Sequence, residues 1–149
     1  MTDQADRPDL RGTRILVIDD SKTIRRTAEN LLVKAGFEVC VAEDGFDALG
    51  KIVSFKPELV FVDIMMPRLD GYHTCALIKS NPALQHTPVV MLSSKDGLFD
   101  RARGRMVGAQ MYLSKPFTGE ELLRAVRGIL RQSSPPLFGQ ADGQDPSSS

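Results

Sequence analysis

The chain is poor in the residues that several common chemistries need. It has two cysteines, Cys40 and Cys75, with no CxxC spacing, and two isolated histidines, His73 and His86. Neither set offers a zinc site, and the cysteines read as buried free thiols in a reducing compartment. No apolar run approaches the roughly 18 residues of a membrane span, which excludes membrane insertion. The N-terminal MTDQADRPDLRG lacks the apolar core of a signal peptide, so the expected location is cytoplasmic. There is no charge excess: 19 basic residues balance 19 acidic ones. Nonspecific nucleic-acid binding needs a cationic surface, so direct DNA binding is not expected. A GxGxxG turn is also missing after the first strand-like run, where DDSKTI stands instead. That argues against a dinucleotide-binding module.

What is present is an alternation of strand and helix signals. At 149 residues, one domain is the default. Residues 1–13 are polar, contain Pro8 and Gly12, and read as a flexible lead-in. From Ser133 the chain runs SSPPLFGQADGQDPSSS, too poor in apolar area to offset ordering entropy, and a disordered tail is predicted over 133–149. Between them, over 14–132, strands are predicted at Arg14–Ile18, 37–42, 59–62, 89–92 and 111–113. Helices are predicted at Lys22–Lys34, with Ser21 as N-cap and Gly36 as stop, and at Gly45–Phe55. A third starts at an Asp70 cap and runs to Ser80. A fourth, 98–107, is weakened by Gly97, Gly104 and Gly108. A last helix opens with the capping-box pair Thr118 and Glu121 and faces Leu122, Val126, Ile129 and Leu130 inward. The pattern is (βα)5, α/β. Right-handed crossovers then give a doubly wound, five-stranded parallel sheet with helices on both sides.

Five polar side chains follow these apolar runs: Asp19 and Asp20 after ILVI, Asp63 after LVFV, Ser93 after VVML and Lys115 after MYLS. Parallel strands end on one edge, so the five meet in space at the edge where open α/β sheets bind ligands. Clustered carboxylates repel one another, and a hard divalent cation such as Mg²⁺ relieves that. An Asp carboxylate can attack phosphorus to form an aspartyl phosphate, and Asp63 is placed singly and centrally for that role. Lys115 would neutralise phosphoryl oxygens and Ser93 would hydrogen-bond one of them. Strand-end Asp and Ser also cap turns, but that role does not account for five such residues on four of five strands.

These segments resemble the receiver domain of two-component response regulators, the CheY-like family. VIDDS is similar to its acidic pair, VDIMMPRLDG to its phosphoacceptor segment, LSS to its hydroxyl position and YLSKPF to its lysine–proline signature. The resemblance implies that Asp20 and Asp63 ligate Mg²⁺, with Asp19 supporting the metal and the Met65 carbonyl as a further ligand. It implies that Asp63 accepts a phosphoryl group from a histidine kinase of the CheA-like kind. Ser93 and Tyr112 would switch with it, Lys115 would contact it, and the Lys115–Pro116 bond would be cis. Within the family, IDDSKTIRRTAENLL, DIMMPRLDGYHTCALIK and LSSKDGLFDRARGRMVGA resemble PilG-type regulators, which serve chemotaxis-like systems controlling type IV pili and twitching motility. The expected output is contact with a downstream protein effector rather than an enzymatic reaction. A phosphate sink or a phosphorelay carrier is the alternative within the family. An aspartate-dependent phosphohydrolase would carry a general acid two residues after its nucleophile, where Met65 stands here.

Overall fold

Strands buried on both faces need near-continuous apolar runs, and the central strands of this chain have them. The computed structural model describes residues 11–94 and 101–133. Strands β1 (Arg14–Ile18), β2 (Glu38–Ala42), β3 (Leu59–Asp63), β4 (Val89–Ser94) and β5 (Met111–Lys115) form one parallel sheet in the order β2-β1-β3-β4-β5. Every position of β3 is buried. Between and after the strands run α1 (Lys22–Lys34), α2 (Gly45–Phe55), α3 (Gly71–Ser80), α4 (Arg101–Met106) and α5 (Gly119–Ser133).

Alternation along the strands divides the core in two. Leu16, Ile18, Val60, Val62 and Met91 face one side, where α2 and α3 supply Ala48, Ile52, Cys75 and Ile78. Ile15, Val17, Leu59, Phe61 and Leu92 face the other, against Leu32 of α1 and Leu122, Val126 and Ile129 of α5. Each fully buried aliphatic chain contributes about 1.5–3 kcal/mol relative to exposure. The helix starts are fixed by side chains. Ser21 accepts from the Ile24 amide (3.3 Å), and Asp70 from the His73 amide (2.9 Å). Thr118 and Glu121 make the reciprocal pair, at 2.9 and 3.0 Å. Gly36 ends α1 at φ 100°, donating to Val33 O.

Several boundaries differ from the sequence reading. Phe37 precedes β2 because its amide closes the end of α1 on Leu32 O, although its ring is buried. Strands β4 and β5 run past their apolar residues, with Ser93 opposite Ser114 and Ser94 opposite Lys115. Backbone pairing continues there where hydrophobicity stops. The helix expected over 98–107 is described only from Arg101, residues 98–100 lying outside the described residues. The lead-in over 1–10 and the tail from 134 also lie outside them. Cys75 is buried, but Cys40 is only half-buried, because β2 is an edge strand; both are free thiols.

Candidate functional site

The chain moves outward from β1 to β2, then returns across β1 to β3 and continues the other way. The crevice at the C-terminal ends of β1 and β3 is the switch point of the sheet. Asp19 and Asp20 follow β1, and Asp63 ends β3. A carboxylate oxygen from each lies within 4.8 Å of the others. Asp19 and Asp63 are buried, and Asp20 is exposed. Lys115, at the end of β5, reaches across with Nζ 3.1 Å from Asp19 Oδ2 and 3.1 Å from Asp63 Oδ1. The Ser21 amide donates to Asp19 Oδ1 at 2.8 Å, and the Met65 amide lies 3.4 Å from Asp63 Oδ1.

The electrostatics of this group are unbalanced. Burial, followed by the charge of Asp19, pushes Asp63 up to about 7 despite Lys115. Burial also raises Asp19, against the Ser21 amide and Lys115. For Lys115 burial acts downward, but the two carboxylates outweigh it and its pKa is raised. Three carboxylates cluster here, and the Lys115 ammonium bonds two of them. That donor set suits a hard divalent cation, which takes oxygen ligands and offsets the remaining charge. Each of Asp19, Asp20 and Asp63 could offer it an oxygen.

The other expected residues are placed as follows. Ser93 is buried on β4, and its hydroxyl donates to Ser94 O (3.3 Å) rather than to Asp63. Tyr112 pairs with Met91 in register and packs, half-buried, against the α3 side of the sheet. Met65 is 68% exposed. The Lys115–Pro116 peptide bond is cis. His73 Nδ1 lies 2.9 Å from Asp70 Oδ1, at the start of α3 and apart from the acidic cluster.

Sequence reasoning missed three supporting residues. Arg25 Nη1 donates to the Asp19 carbonyl at 2.6 Å, holding the turn after β1. Gly71 brings α3 against β3, since a Cβ there would fall on the Asp63 carbonyl oxygen. Arg68 ties the loop after β3 to α2 through Asp44. The Asp70–Gly71 pair was the one legible signal among them: a cap followed by a residue without a side chain.

An open doubly wound sheet with an acidic cluster and a lysine at its switch point defines an α/β domain of the CheY-like fold. The chain belongs to the response regulator receiver domain family, whose model matches residues 15–127. It is 63% identical over 124 residues to Protein PilG of Pseudomonas aeruginosa, covering 83% of this chain and 92% of that one. It is 40% identical over 122 residues to Response regulator MprA of a Mycobacterium species, of which it spans 52%. Among solved structures, chemotaxis protein CheY4 of Vibrio cholerae superposes with a TM-score of 0.76 at 30% identity, over 79% of this chain and 98% of that one. Among the described residues, no helix is long and apolar enough to cross a membrane.

Proposed function

We propose that Asp63 is the phosphoacceptor of a signalling receiver, taking its phosphoryl group from a CheA-like histidine kinase. The observation that carries this reading is the juxtaposition of Asp63 with Asp19, Asp20 and Lys115 at the switch point. An Asp63 carboxylate oxygen attacks phosphorus and forms the new O–P bond. The P–N bond of the kinase phosphohistidine breaks, and its electron pair returns to the imidazole. Lys115 already bridges Asp63 and Asp19, so its ammonium is held where negative charge arrives on the phosphoryl oxygens. Asp19, Asp20, Asp63 and the Met65 carbonyl would hold Mg²⁺. When bound, the cation supplies positive charge to the phosphoryl oxygens. Ser93 is the hydroxyl that turns toward the phosphoryl group, and Tyr112 moves with it on the adjacent strand.

The domain acts as a switch rather than an enzyme. Its output is a changed surface presented to a downstream protein in the cytoplasm. Identity of 63% to Protein PilG supports a place in a chemotaxis-like pathway that controls type IV pili and twitching motility. The receiver unit spans 14–132. The first test is intact-mass analysis after incubation with a small-molecule phosphodonor. The wild type should gain one phosphoryl group with Mg²⁺ and none in EDTA, and Asp63→Ala should gain none in either. Equal labelling of wild type and variant would overturn the assignment.

A further inference from the structure

The loop from β3 to α3 is anchored at a point that the acidic cluster does not explain. Arg68 sits at φ 69°, a left-handed backbone conformation that a long side chain rarely adopts and glycine takes freely. Its guanidinium reaches the start of α2. Nη2 donates to Asp44 Oδ2 at 2.9 Å, and Cζ lies 5.1 Å from the centre of the Phe46 ring. Asp44 is the N-cap of α2, and its other oxygen accepts from the Asp47 amide at 2.7 Å. One carboxylate therefore serves both the helix and the loop. Leu69 lies against Gly45, where a Cβ would meet the Leu69 side chain. The far end of the loop closes through the Gly71 amide on Ile64 O at 2.9 Å. Met65 lies between these two anchors.

Arg68 is largely exposed, with 66% of its side chain accessible. An exposed ion pair adds little stability, and the left-handed backbone works against that gain. Stability alone does not account for an arginine at this position. We propose that Arg68 is a positioning residue: through Asp44 it holds the β3–α3 loop so that the Met65 main chain stays fixed beside Asp19, Asp20 and Asp63 as a preformed part of the divalent-cation site. A carbonyl ligand on a loosened loop must be ordered at binding, and that ordering lowers affinity. This inference rests on the metal reading above.

The experiment is calorimetric titration of MgCl₂ into the full chain, for wild type, Arg68→Gly, Asp44→Asn and the double variant. Asn is as good an N-cap as Asp, so α2 keeps its start in Asp44→Asn. Each single variant should bind Mg²⁺ about tenfold more weakly, the size typical of lost outer-shell support. The double variant should be no weaker than either single. Simple charge effects predict otherwise: removing Arg68 would strengthen cation binding, and removing the Asp44 charge would weaken it. A shared loss therefore identifies the strap. In EDTA, melting temperatures of the single variants should stay near wild type, while the Met65 amide order parameter falls. Wild-type affinity in both single variants, or a loss of affinity matched by a loss of melting temperature, would overturn the inference alone. A wild type that binds no Mg²⁺ would overturn the metal reading with it.

Discussion

Asp63 and Asp19 are two buried acids with one shared ammonium, and this arrangement has a sign that can be checked. Burial first, then the charge of Asp19, raises Asp63 to about 7 in the folded metal-free protein, from 3.8. A folded pKa above the unfolded one means that folding favours the protonated acid. The metal-free protein therefore gains most from this group below about pH 4 and loses that stability as pH rises toward 7. Asp63→Asn, which cannot ionise, should be more stable than wild type at pH 8 by about 2 kcal/mol and should lack this part of the pH slope. Chemical denaturation in EDTA at pH 5 and 8 measures both. An Asn variant no more stable than wild type at pH 8 would count against the electrostatic account. The sequence made the charge cluster legible, since each acid directly follows an apolar run. It did not make legible that Lys115 bonds both buried acids while Asp20 stays exposed, because that depends on how far each strand runs past its apolar residues.

The junction of β3 with α3 shows how one small residue sets the geometry of two elements. Gly71 opens α3 directly behind Asp63, and any side chain there would press on the Asp63 carbonyl oxygen and the Ile64 backbone. Gly71→Ala should therefore destabilise the fold by about 2 kcal/mol, in the range of overpacked cores. It should also slow phosphorylation of Asp63 at saturating Mg²⁺, which timed intact-mass analysis would detect. Unchanged labelling kinetics would mean that the strand end tolerates displacement. Element identity was largely readable here. The apolar runs marked the strands, and Ser21, Asp70 and the Thr118–Glu121 pair marked three helix starts. The loop between β3 and α3 was not readable. Nothing in MPRLDG announces that Arg68 takes a left-handed conformation or that its partner lies 24 residues back, since both follow from the packing of α2 against the loop.

Across the molecule, the sheet joins the acidic edge to the face made by α4, β5 and α5. Ser93 lies opposite Ser114, and Tyr112 opposite Met91, so β5 is the strand next to the site's hydroxyl. Met106 and Met111 are exposed on this side, at 85% and 41%. Phosphorylation of Asp63 should shift amide NMR signals mainly within residues 93–130, because a switch needs different contacts in its two states. Changes confined to α1 and α2 would count against this output route. The architecture was legible because each βα unit repeats the same pattern. The resting contact of Ser93 was not, because the sequence offers its hydroxyl to a phosphoryl oxygen and in the structure it donates to the Ser94 carbonyl. The long-range pairing at the site has a consequence for the chain as it is made. Lys115 lies 96 residues after Asp19 and 52 after Asp63. On the ribosome the three acids emerge first, and their counter-charge comes only with the last strand. A chain stalled or cleaved before β5 would keep its acidic residues without the lysine that balances them.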